Sequence, residues 1–140
     1  MPRKLSPEIR EYVRLRSGYL CEYCHANERR QCVEFTIDHI RPDQGDDPEN
    51  LALACFHCNR RKSDKTEVFD ESTGRNIALF DPRKDKWLDH FEWSDDGLRI
   101  VAKTPQAAVT LNLLELNRPR ILRIREADIA IDRHPPIIDR

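Results

Sequence analysis

The sequence predicts an α+β fold: a small strand–loop–strand–helix core stapled by four cysteines, followed by a C-terminal hairpin-plus-helices extension. Three observations predict it. Two C-x-x-C pairs, Cys21–Cys24 and Cys55–Cys58, stand thirty residues apart. Between them, apolar residues alternate from Cys32 to Ile40 and run together from Asn50 to Ala54, which are strand signals. Outside them, Ser6-Pro7 and Thr104-Pro105 are capping hydroxyls followed by a first-turn proline, which open helices. Between the apolar runs Trp87–Trp93 and Leu98–Val101, the stretch Ser94-Asp95-Asp96-Gly97 reads as a hairpin turn.

Taken in order, Glu8 follows the Ser6-Pro7 start as an acid suited to the positive helix end. The helix is expected to turn Ile9, Tyr12, Val13 and Leu15 inward and Arg10, Arg14 and Arg16 outward, and Ser17-Gly18 ends it. Val33, Phe35 and Ile37 fall on one face of the expected Cys32–Ile40 strand, and Cys32, Glu34, Thr36 and Asp38 on the other. Residues 41–49 are loop, rich in Pro, Gly and Asp. Cys55 to Lys65 opens as a knuckle and continues as a helix. Residues 67–78 are polar and expected as a connector. Beyond it come the hairpin, a helix from Thr104-Pro105 with Val109, Leu113, Leu114 and Leu116 on its apolar side, a break at Asn117-Arg118-Pro119, and a last helix over Ile121–Ile131. The expected organisation is thus a core at 1–66, a connector at 67–78, an extension at 79–133 and a frayed tail at 134–140.

A chain of 140 residues with 39% apolar and 35% charged residues suits one domain with an added subdomain. Its net charge of −1 leaves no global basic signature, so a nucleic-acid ligand would need a local Lys/Arg patch. No apolar run approaches the length of a membrane span. Met1-Pro2-Arg3-Lys4 lacks the apolar segment of a secretory signal. The expected compartment is the reducing cytosol, where thiolates stay available for metal.

Of the five cysteines, the two close pairs suit a tetrahedral S4 zinc site formed by Cys21, Cys24, Cys55 and Cys58. Such a tie supplies on the order of 10 kcal/mol of folding free energy, judging by zinc-finger peptides. Cys32 is either a free thiol on a half-buried strand or a replacement for one of the four. Asp38-His39 ends the first strand and Asn59 follows the last cysteine. Asp is a hard oxygen ligand suited to Mg2+ or Mn2+, and neutral His is a general base near pH 7. His57, between the knuckle cysteines, is a further candidate ligand, an exposed knuckle residue or a phosphate contact. Arg60, Arg61, Lys62 and Lys65 form either a patch that contacts nucleic-acid phosphates or a solvated helix face. His90 reads as a core or rim histidine. Trp87, Phe91 and Trp93 read as core, with a base-stacking platform as the alternative.

The order C-x-x-C, D-H-I-x-P, E-N-L-x-x-x-C-x-x-C-N resembles the HNH endonuclease family, with its ββα-metal fold, over about residues 12–65. The segments L-F-D-P-R, W-x-x-H-F-x-W and L-N-R-P resemble C-terminal extensions of some small bacterial HNH proteins and carry no assigned chemistry. The resemblance implies DNA as the partner and phosphodiester hydrolysis as the reaction. It implies His39 as the general base, Asp38 as a ligand of the catalytic cation, and Asn50 as the residue that braces the loop and orients His39. Asn59 stands where many members carry a ligand His; its carbonyl oxygen suits Mg2+ or Mn2+. The products implied are a 5′-phosphate and a 3′-hydroxyl. Two other functions fit the cysteines: a zinc-organised nucleic-acid-binding module without catalysis, and a structural zinc ribbon. Asp38, His39 and Asn50 discriminate among them, because a ribbon has no use for an acid–base pair at a strand end.

Overall fold

A computed structural model describes residues 5–137. The chain divides into two compact units, Met1–Thr66 and Glu67–Arg140.

In the first unit, α1 spans Pro7–Arg16, and the Ser6 hydroxyl caps it by accepting from the Ile9 amide at 3.2 Å. Strands β1 (Thr36–His39) and β2 (Leu51–Ala54) pair antiparallel, with Asp38 opposite Ala52 and His39 opposite Leu51. Helix α2 covers Phe56–Lys62. All four residues of β2 are fully buried. Successive strand side chains point to opposite faces, so both faces of β2 are covered. The first knuckle is fastened to this strand: the Glu22 amide donates to Leu53 O, and the buried Glu22 carboxylate accepts from the Leu53 amide, each at 2.8 Å.

Two expectations for the secondary structure of this unit need correction. The first strand begins at Thr36, not Cys32, because a two-stranded ladder extends only as far as its four-residue partner β2; Val33 is exposed. The second concerns α1, where Val13 is buried but Tyr12 and Leu15 are 50% and 61% exposed. The inward side is held by arginines. Arg14 grips the Glu28 carboxylate with two hydrogen bonds (2.9 and 3.2 Å), and Glu28 also accepts from the Phe35 amide. Arg16 donates to Pro48 O and Leu51 O at 2.9 and 2.7 Å. The carbonyls beside a two-stranded sheet need donors, and long guanidinium stems reach them while covering apolar surface.

In the second unit, residues 67–78 are not a connector. They form a hairpin of β3 (Glu67–Asp70) and β4 (Arg75–Ala78). The Asp70 carboxylate accepts from the Ser72 and Thr73 hydroxyls and closes the turn. Trp87–His90 is a helical turn, α3, that leads into β5 (Phe91–Trp93), which pairs with β6 (Ile100–Ala102) across a turn containing Gly97 at φ +77°. Trp87 lies 5.1 Å from Phe91 and 5.4 Å from Trp93, ring centroid to centroid. Thr104 caps α4 (Pro105–Leu114), and α5 spans Pro119–Ala130. Ala107, Thr110, Leu114 and Leu116 are the buried side chains along α4 and its exit, with Val109 and Leu113 half-buried. The guanidinium of buried Arg125 holds Leu98 O, Leu116 O and the Asn117 side chain, and stacks 5.1 Å over Trp93. His134, expected in a frayed tail, is tied down by Gly97 O at 2.8 Å and by an edge contact with Trp93. Residues 138–140 of that tail, like Met1–Lys4, lie outside the described residues.

Candidate metal centre and active site

The two knuckles bring Cys21, Cys24, Cys55 and Cys58 together. Their sulfurs all lie within 4.8 Å of one another and all four residues are buried. The Cys24 and Cys55 sulfurs are 3.7 Å apart. Four sulfurs around zinc at about 2.3 Å form a tetrahedron with edges of about 3.8 Å, so the donor set suits a structural metal such as zinc. Burial pushes the Cys21 thiol up, and hydrogen bonds from the neighbouring sulfurs, Cys21 first, push up Cys58. The Cys21 and Cys58 thiols so raised hold their protons unless a cation replaces them. Cys32 is exposed and stands apart from the cluster.

At the end of β1, the pleat sends Asp38 and His39 to opposite sides. Asp38 goes inward; its side chain is 4% exposed. Oδ2 accepts from the Tyr23 hydroxyl at 2.8 Å and lies 3.2 Å from the Lys62 ammonium, which is 3.4 Å from Oδ1. Lys62 also donates to Ile40 O at 3.1 Å, and its side chain is 2% exposed. Burial, then the Asp38 charge, push the Tyr23 hydroxyl well up, which keeps it a neutral donor. Lys62 therefore does not belong to the expected phosphate-contacting patch. It lies four residues after buried Cys58, on the same helix face. Arg60, Arg61 and Lys65 are exposed.

His39 goes outward with 34% of its side chain exposed, and its Nε2 lies 2.8 Å from Asp46 Oδ1. Asn50 is buried behind it. Its Oδ1 accepts from the Arg41 amide (2.9 Å) and its Nδ2 donates to Arg41 O and Gly45 O (2.9 and 2.8 Å), which fastens the 41–45 loop to the start of β2. Asn59 is half-buried one helical turn before Lys62. Its side-chain amide makes no hydrogen bond among the described residues. His57 is half-buried on the same helix. In the second unit, His90 Nδ1 lies 2.8 Å from the hydroxyl of Thr104, the cap of α4, and its ring packs edge-on against Phe80.

Three residues of this site escape motif reading: Tyr23 and Lys62, which fix Asp38, and Asp46, which meets His39. The i, i+4 step from Cys58 was the available signal for Lys62. Nothing in the local sequence marks Asp46 among the three aspartates of its loop.

The family model described as HNH endonuclease matches residues 21–65, a segment that holds both knuckles, β1, β2 and α2. No curated protein and no solved structure matches the chain. Among the described residues, no helix is long and apolar enough to cross a membrane.

Proposed function

Residues 21–65 match the HNH endonuclease family model, and from that premise we propose that the protein is a metal-dependent endonuclease that hydrolyses phosphodiester bonds in DNA. Zinc at Cys21, Cys24, Cys55 and Cys58 staples the scaffold, and a reducing cytosol keeps those sulfurs available. The observation that carries the reading is the split at the end of β1: an imidazole facing solvent and, one residue earlier, a carboxylate held inside by two donors.

In this reading His39 takes the proton from the water that attacks phosphorus, a role worth roughly 10²–10⁴ in rate. Asn50 holds the loop beneath it. Arg60, Arg61 and Lys65 hold backbone phosphates on either side of the scissile bond and set the register of the strand. The oxygens of Asp38 and Asn59 fit Mg2+ or Mn2+ as hard ligands. A carboxylate offers about four lone-pair sites; Asp38 Oδ2 takes the two shorter contacts, while among the described residues Oδ1 has the ammonium at 3.4 Å alone and keeps capacity for a cation. Bound there, the cation would supply Lewis-acid stabilisation of charge on the phosphate and the leaving oxygen. Lys62 and Tyr23 keep the Asp38 carboxylate fixed in orientation.

One observation favours the second reading, a zinc-organised nucleic-acid-binding module without catalysis: the Lys62 ammonium already neutralises Asp38. Incubation of the purified protein with supercoiled plasmid and Mg2+ or Mn2+ separates the two. The nuclease produces nicks whose 3′-hydroxyl ends prime a polymerase directly, and EDTA stops it. Plasmid that is retarded in a gel yet stays covalently closed with every metal overturns the nuclease and leaves the binding module.

A further inference from the structure

His39 and Asp46 are held together from two sides. His39 closes β1 opposite Leu51. Asp46 follows Gly45, whose φ of +80° is a conformation that side chains disfavour, and whose carbonyl is gripped by buried Asn50. Asn50 immediately precedes β2. The strand pair thus fixes the imidazole, and the Asn50 clamp fixes the loop that brings the carboxylate to 2.8 Å from Nε2. An ionised carboxylate only accepts hydrogen bonds, so Nε2 carries the proton in this pair and Nδ1 carries the lone pair.

We propose that Asp46 is the positioning residue of the His39 base: its carboxylate fixes the Nε2–H tautomer and the ring orientation, so that Nδ1 is the nitrogen that takes the proton from water. This rests on His39 being the base, as argued above. The chemistry is that of a carboxylate–imidazole dyad, in which the partner selects which ring nitrogen is basic and does not itself take the proton. Asp46 touches no substrate in this scheme; it acts through the ring.

The test reads the tautomer and the rate separately. In the full-length, zinc-loaded protein labelled with ¹⁵N-histidine, long-range ¹H–¹⁵N spectra report the tautomer of His39, assigned by its disappearance in His39→Ala. The wild type shows the Nε2–H form. Asp46→Ala gives a mixture of tautomers, and Asp46→Asn, whose amide can donate to Nε2, shifts the ring toward the Nδ1–H form. In plasmid cleavage, Asp46→Ala lowers kcat by about a hundredfold with KM for DNA unchanged, and Asp46→Glu, which keeps the carboxylate, recovers part of the loss. An Nδ1–H tautomer in the wild type, or identical spectra for wild type and Asp46→Ala, overturns the proposal. So does an undiminished kcat in Asp46→Ala. A wild type that shows the tautomer and its Asp46 dependence but cuts no DNA sinks the nuclease reading and leaves the pairing intact.

Discussion

Lys62→Met tests what holds Asp38 in place. The substitution keeps an unbranched stem of similar length and deletes the ammonium, so little packing is lost. What remains is a carboxylate, 4% exposed, whose one short donor among the described residues is the Tyr23 hydroxyl at 2.8 Å. The lost contacts are those of Lys62 Nζ with the two Asp38 oxygens, at 3.2 and 3.4 Å, and with Ile40 O at 3.1 Å. Removing one partner from a buried pair leaves an uncompensated charge and costs about 3–5 kcal/mol. With a urea m-value of about 2 kcal/mol/M, the unfolding midpoint falls by roughly 2 M. Neutralising the other partner as well, in Lys62→Met/Asp38→Asn, removes the stranded charge. The double variant is then more stable than the single one, with a coupling energy above about 2 kcal/mol. Urea unfolding by far-UV circular dichroism measures both. Indole emission serves as an internal control, because Trp87 and Trp93 both lie in the second unit. A single-variant cost below about 1 kcal/mol, with additive effects in the double variant, refutes the argument that Lys62 is the counter-ion Asp38 depends on.

Three further outcomes are expected. Cys55→Ser removes one of four clustered sulfurs, and zinc content by mass spectrometry drops with loss of the cooperative transition of the first unit; full zinc and an unchanged melt contradict the structural role. Asn50→Ala deletes three hydrogen bonds to the 41–45 loop and costs about 2–4 kcal/mol, read by chemical denaturation; a change below about 1 kcal/mol shows that the loop holds itself. His134 has its pKa lowered chiefly by burial. Below its unfolded value of about 6.5 the unfolded chain binds the proton more readily, so stability is complete above that pH and falls as pH drops toward the folded pKa. The second unit, followed by indole emission, therefore weakens on acidification through that window, and His134→Gln flattens the slope; an identical pH profile for the two proteins contradicts this.

The metal cluster was legible because tetrahedral zinc imposes its own spacing, and two C-x-x-C pairs satisfy it whatever lies between them. Helix starts were legible at Ser6-Pro7 and Thr104-Pro105, since a cap and a proline act within four residues of chain. Strand ends were less so. Cys32 to Phe35 alternates as well as Thr36 to His39 does, and only the length of β2 decides where pairing begins. The β3–β4 hairpin was hidden because its four-residue strands are mostly exposed and so carry little apolar alternation. Trp87, Phe91 and Trp93 fit a period of two, but Trp87 to Phe91 is also one helical turn, and the chain uses both in succession. Lys62 sits in a basic run that looks solvated throughout, yet helical geometry turns Arg60 and Arg61 out and Lys62 in. The pairing of His39 with Asp46 depends on a loop path set by Asn50 and Gly45, which no local pattern announces.

The central claim is that a solvent-facing imidazole on a zinc-stapled strand end does base chemistry on a phosphodiester. Single-turnover nicking of supercoiled plasmid by wild type and His39→Ala, prepared to equal zinc content and equal melting temperature, tests it most directly. The rate is predicted to fall by roughly 10²–10⁴ in the variant. Equal rates in the two proteins would contradict the claim.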